Sequence, residues 1–167
     1  MKDDSLTWCL KQKRGIRIIE PNPNLTKAYL KKAISALNTM TAALQIKETD
    51  WITTTAYYAR YFALYALLMK IGVKSEIHDC TITVAKLLAE NGSLNQNLID
   101  DITEAKQTRI DTQYYVEKQL SQTAIKSNVK AARKFVLETE KTIENLTTEQ
   151  ISSIRIQLKK AKETAQN

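Results

Sequence analysis

The stretch from Trp51 to Ile71 contains neither glycine nor proline, and apolar or aromatic side chains fall on nearly every face of the helix it would form. Trp51, Thr55, Tyr58, Phe62, Tyr65 and Met69 repeat at intervals of four and three. Ala59, Ala63 and Ala66 make a second face, and Tyr57, Tyr61, Leu64 and Leu68 a third. A helix apolar all round has two homes, the middle of a bundle or a bilayer. Arg60 at mid-length, Thr53, Thr54 and Thr55, and four tyrosines make a bilayer costly, so the expectation is a buried central helix. The small alanine face lets neighbouring helices approach closely, and Gly72 supplies a left-handed stop.

The rest of the chain reads as partners for that helix. A first helix starts near Asn24 and ends near Lys47, with Leu30, Ile34, Leu37, Thr41 and Leu44 on one stripe and Tyr29, Ala33, Ala36, Met40 and Ala43 on another. Asp50 is the expected cap of the central helix, and Ser75 that of a third, which turns Ile77, Val84, Leu87 and Leu88 inward and ends at Asn91-Gly92. A fourth helix spans about 94–119, with the stripe Leu98, Ile102, Ala105, Arg109, Thr112 and Val116. A fifth carries Ile125, Val129, Ala132, Val136, Thr139, Ile143 and Leu146. Thr147 or Thr148 caps a sixth, with Ile151, Ile154, Leu158, Ala161 and Ala165 apolar. Spacings of three and four with short connections predict an all-α fold, an antiparallel up-and-down bundle of about five to six helices. A single domain covers 1–167. Residues 1–23 are an irregular N-terminal segment with a short extended piece around 15–21, residues 24–146 are the bundle core, and 147–167 are a C-terminal helix.

Only 3 glycines and 2 prolines occur in 167 residues, which fits long helices and argues against a many-turned β fold. The net charge of +7 is unevenly spread. Residues 1–32 carry eight Lys/Arg against three Asp/Glu, 33–125 carry eight against ten, and 126–167 carry nine against five. Basic ends can attract nucleic acid or nucleotides, or can serve solubility alone. Cys9 and Cys80 form no CxxC and no framework, so they are expected as reduced thiols in a cytoplasmic protein. The first residues lack the uninterrupted apolar core of a signal peptide.

Arg109 is the sharpest anomaly, because it stands where the stripe calls for Leu or Ile. A buried guanidinium is costly unless paired. It is held for an anion such as phosphate, or ion-paired to a carboxylate on another helix, or carried to the rim. His78 is the only histidine, suited to general acid–base work near neutral pH or to a local hydrogen bond. With Asp79 and Cys80 it makes no metal-ligand spacing, and no cofactor is expected. GxGxxG, GxxxxGK[ST] and GxSxG are all missing, so dinucleotide, P-loop and hydrolase readings have no support. Tyr57, Tyr58, Tyr61, Phe62 and Tyr65 could stack bases, though at helical spacing they also suit a core.

The segment Ala56 to Gly72, with its Ala-Tyr-Tyr-Ala opening, Ala-Leu-Leu centre and closing glycine, resembles the second helix of stand-alone HEPN proteins (higher eukaryotes and prokaryotes nucleotide-binding). Tyr61 stands at that pattern's Phe position, His78 matches a histidine that follows the glycine in many members, and Arg109 with Tyr114 matches a later Arg followed by an aromatic. The resemblance covers roughly 24–145. It implies a helical bundle, often a homodimer, and in many members a metal-independent ribonuclease with an Arg-x4–6-His motif. It also implies frequent pairing with a minimal nucleotidyltransferase in toxin–antitoxin systems. Here the positions for the motif's histidine hold Tyr114, Tyr115 and Val116. Tyrosine, with a pKa near 10, is a poor proton shuttle at neutral pH.

The expected function is therefore a non-catalytic component that binds a partner protein, a nucleotide or RNA, with no membrane role. Arg109, Tyr114, Arg60, Tyr57, Tyr61 and His78 are the candidate ligand-binding residues. The alternatives are a ribonuclease toxin using Arg109, with Tyr114 or His78 as partner, and a structural dimerisation module.

Overall fold

The computed structural model describes residues 4–166. Among them are seven helices, α1 (Asp4–Lys11), α2 (Pro23–Gln45), α3 (Thr49–Ile71), α4 (His78–Glu90), α5 (Gln96–Tyr114), α6 (Gln122–Asn145) and α7 (Thr148–Gln166). Two short strands, β1 (Arg17–Ile18) and β2 (Val73–Lys74), pair antiparallel, Arg17 opposite Lys74 and Ile18 opposite Val73.

The chain is all-α, as its periodicity predicts, and α3 is the central helix. Helices α2, α4, α5 and α6 all pack on it. Tyr57, Ala59, Ala63, Leu64, Ala66, Leu67 and Leu68 are fully buried. The helix stops at Gly72, whose φ of 74° is left-handed and whose N–H caps Leu68 O and Met69 O. A Cβ there would lie 2.6 Å from Ile19 O and 2.8 Å from Pro21 N, and would strike Arg155. The glycine therefore serves both as helix stop and as the seat of the N-terminal segment. Arg155 Nη1 closes this junction by donating to Ile19 O at 2.7 Å, Ile71 O at 3.0 Å and Gly72 O at 3.0 Å.

The fifth predicted stripe is buried from Ile125 to Leu146 along α6 and its C-cap. The Thr147 cap of the last helix is real: Gln150 N–H donates to Thr147 Oγ1 at 3.2 Å while Thr147 N–H donates to Gln150 Oε1 at 3.0 Å. This is a reciprocal capping box.

Several expectations need correction. Residues 1–23 are not wholly irregular, because α1 occupies Asp4–Lys11; residues 1–3 lie outside the described residues. The cap of α2 is Asn22 rather than Asn24, its side chain accepting from Leu25 N–H at 2.9 Å with Pro23 in the first turn. Asp50 lies inside the first turn of α3, and Trp51, expected inside, is 60% exposed. Ser75 folds its hydroxyl onto Ile77 and α4 begins later, at His78. Helix α5 ends at Tyr114 rather than 119, so Val116 is 90% exposed instead of completing the stripe. Asp111 holds Lys118 at 2.9 Å across this turn.

Cys9 and Cys80 are not free thiols. They form a disulfide, with Cα atoms 5.5 Å apart across a sequence separation of 71. Their distance in sequence hid a proximity made by α1 packing on α4. No helix among the described residues is long and apolar enough to cross a membrane.

Candidate anion-binding site

Three elements converge on one aromatic side chain. Tyr57 comes from α3, is fully buried, and presents its ring to Arg109 of α5 and its hydroxyl to His78 of α4. The Arg109 guanidinium carbon lies 5.0 Å from the Tyr57 ring centroid and 6.0 Å from that of Tyr58. A cation over an aromatic face is stabilised by the ring quadrupole without being neutralised. No carboxylate pairs with Arg109 among the described residues. Its one hydrogen bond there is a long one, Nη1 to Gln113 Oε1 at 3.4 Å, and its Nε is buried without a partner. The ion pair considered for it is therefore not what holds it: Arg109 is half-buried and backed by aromatics.

His78 joins the same aromatic group. Its ring stacks on Tyr61, with centroids 4.0 Å apart at 15°, and its Nδ1 is 2.7 Å from the Tyr57 hydroxyl. Burial raises the Tyr57 pKa, with Tyr61 adding to it and Arg109 opposing, so the phenol keeps its proton. His78 Nδ1 is the only hydrogen-bond partner of that buried hydroxyl among the described residues. The O–H therefore donates to Nδ1, and the imidazole proton resides on Nε2. Burial lowers the His78 pKa, with Arg109 and Lys106 adding to the effect and Asp79 opposing it. A neutral imidazole with Nδ1 occupied is an Nε2–H donor, suited to an anionic oxygen and unsuited to abstracting a proton.

Lys106, one turn before Arg109 on α5, adds a second cation and forms an ion pair with Asp79, the neighbour of His78. Gln113 links the site outward, donating through Nε2 to Thr54 Oγ1 at 2.8 Å. Beyond it, Trp51 and Tyr114 line a shallow hollow with Asp50 and Gln113, and Tyr114 is 72% exposed. Sequence reasoning missed Lys106 and Gln113. The i−3 and i+4 offsets from Arg109 were a signal that could have found both.

The candidate residues thus divide. Arg109, His78, Tyr57 and Tyr61 form one group, and Tyr114 stands at its rim. Arg60 belongs elsewhere. It is 1% exposed, donates from Nε to Asp101 Oδ2 at 2.7 Å and from Nη2 to Asp101 Oδ1 at 3.1 Å, and also reaches Ala56 O and Asn128 O. The cleft beside it, about 280 Å³, contains the carboxylates of Asp101 and Glu104, which repel anions. The buried structural ion pair foreseen for Arg109 is found at Arg60. Among the described residues no group of three or more His, Cys, Asp or Glu could hold a metal ion.

A helical bundle built on one buried aromatic helix, with an Arg and a His both in contact with its tyrosines, defines a class of small all-α domain. The family model described as "HEPN domain" matches residues 26–143, and the chain belongs to that family. No curated protein matches it. Helices α1 and α7 lie outside the matched residues, as the extent of the sequence resemblance implies.

Proposed function

We propose that this HEPN protein is a non-catalytic binding component that holds a phosphate of RNA or of a nucleotide at Arg109. The observation that carries the reading is the state of Arg109, a cation on a tyrosine face with a buried, unpartnered Nε and no carboxylate. A guanidinium offers several N–H donors to a phosphate oxygen pair. The His78 Nε2–H is a further donor, and Lys106, ion-paired to Asp79, adds positive charge nearby. The motif histidine is replaced by Tyr114, Tyr115 or Val116, and His78 carries its lone pair into a hydrogen bond from Tyr57. Both facts favour binding over strand cleavage.

The wider setting we propose is a toxin–antitoxin-like pair with a nucleotidyltransferase, and a homodimer in which Trp51, Tyr114 and Val116 are covered. These three side chains are exposed at one end of α3 and α5, which is unusual for large apolar groups. A second reading is a ribonuclease in which His78 substitutes for the motif histidine. It is favoured by the shared contact of Arg109 and His78 with Tyr57.

A single-stranded RNA oligonucleotide, titrated at one fixed salt concentration, tests the first reading. Binding weakened by Arg109→Met, with the oligonucleotide recovered intact, supports it. Cleavage that requires both Arg109 and His78 selects the second reading instead.

A further inference from the structure

The segment Asp4–Ile18 lies outside the matched HEPN residues, yet it grips the short connection that delivers His78. It does so at four places. The Cys9–Cys80 disulfide joins α1 to the first turn of α4, two residues past His78. β1 pairs with β2, Arg17 opposite Lys74. Glu76, two residues before His78, takes Arg14 Nε at 2.7 Å, the Arg17 guanidinium, and Lys74 Nζ at 3.6 Å. Its backbone N–H also donates to Arg14 O at 2.9 Å. Thus both flanks of His78 are fixed by residues of a segment that lies outside the matched HEPN residues, although its Cys9, Leu10 and Ile16 also reach the core that holds Tyr57.

We propose that the N-terminal segment is a brace that positions His78 against Tyr57 and Tyr61, with Cys9–Cys80 as its redox-sensitive latch. The bond matters because the other ties are weak. β1 and β2 are two residues each, and the Glu76 cluster is partly solvated, so both are weak anchors on their own. The disulfide is the covalent tie, and α1 itself packs on α4 and α7 alone among the larger helix contacts. Opening the latch takes an external dithiol. Its thiolate attacks one sulfur to form a mixed disulfide, the second thiol of the reductant displaces the protein thiolate, and both protein sulfurs take up protons. The reductant leaves as its own disulfide. Cys9 and Cys80 are both buried, so the attack waits on α1 lifting from α4. The reduced chain retains the bundle but loses the fixed placement of His78.

This inference rests on the Arg109 site only for its functional consequence, and its primary readout does not depend on RNA. His78 is the only histidine in the chain, so its imidazole C–H resonances report on one residue. The full-length protein is compared oxidised, reduced with excess dithiothreitol, and as Cys9→Ser. The His78 resonances are expected to move and broaden on reduction and in Cys9→Ser, with the resonances of Phe135 and other α6 core residues unchanged. Arg14→Ala, with the disulfide intact, should move them in the same direction but less. Inorganic phosphate and an RNA oligonucleotide, if they bind the oxidised protein, should bind severalfold more weakly once it is reduced. Failure of both probes to bind in either state defeats the anion-site reading while the His78 resonances still judge the brace. The brace itself is overturned if those resonances are the same in all three forms, even when the melting temperature falls. It is overturned equally if the reduced chain loses its core resonances, because the bond is then a requirement of the whole fold and not a local latch.

Discussion

Two arginines in similar helical positions have opposite roles, and the difference is measurable. Arg60 is buried and paired with a partly exposed carboxylate, so Arg60→Met strands Asp101 and should cost about 3 kcal/mol. Arg109 has no carboxylate to strand among the described residues. Arg109→Met loses a cation–π contact of about 0.5–1 kcal/mol and relieves a buried unpartnered Nε, so its stability should stay within about 1 kcal/mol of wild type. Chemical denaturation of both variants checks the pair, and equal losses would contradict the division of roles. His78 gives a second test at this scale. Its folded-state pKa is lowered, first by burial and then by Arg109 and Lys106, so the folded chain binds that proton less readily than the unfolded chain. The associated stability is complete above about pH 6.5 and falls as pH drops through the folded-state value. Glu76 behaves differently. Hydrogen bonds from Arg14 and then Arg17 hold its carboxyl at about 2 instead of 4.5, so its contribution persists down to about pH 4.5 and is lost toward 2. His78→Gln should remove the decline that begins near pH 6.5, and Glu76→Gln should alter only the lower one. A His78→Gln protein with an unchanged slope below pH 6.5 would rule out this role for burial of the imidazole.

The central helix shows what a sequence can and cannot reveal. Its length, its extensive burial and its stop at Gly72 follow from composition and spacing, although the face carrying Trp51, Thr55, Tyr58 and Phe62 is only partly covered. Gly72→Ala should cost more than about 2 kcal/mol, since it combines a left-handed φ with contact against the Ile19 carbonyl and Pro21. A variant melting as wild type would mean that the junction yields freely. The same local logic yields the buried stripe of α6 and the capping box at Thr147. It failed where the answer lay in another part of the chain. The Cys9–Cys80 bond and the Glu76 cluster join residues about sixty or seventy positions apart, and no periodicity encodes them. It also failed at helix ends: α5 stops at Tyr114, and Asp111 and Lys118 pair across a turn that a hydrophobic pattern does not register. For the site, Arg109 was visible as a break in a stripe and His78 as the only histidine. That they meet on Tyr57 depends on how α3, α4 and α5 cross, which is a property of the packed bundle.

At the scale of the whole molecule, the seven helices among the described residues leave an apolar end where Trp51, Tyr114 and Val116 reach solvent. A homodimer is the expected solution state, and light scattering at micromolar concentration should give about twice the 19.0 kDa chain mass. A species of single-chain mass throughout that range would remove the dimer from the reading. Trp51→Lys with Tyr114→Lys should shift the protein to the monomer while leaving its helical content intact. The basic ends of the chain add long-range attraction for a polyanion, so affinity for RNA should fall steeply as salt rises, with the loss set by how many phosphates are contacted. The central claim is that Arg109 is kept for an anion and not for the fold. Binding of a single-stranded RNA oligonucleotide to wild type and to Arg109→Met, with thermal melts of the same samples, tests it most directly. The expected result is an affinity at least about tenfold weaker, equivalent to about 1.4 kcal/mol, at an unchanged melting temperature. Equal RNA affinity in the two proteins, with Arg109→Met melting well below wild type, would contradict it.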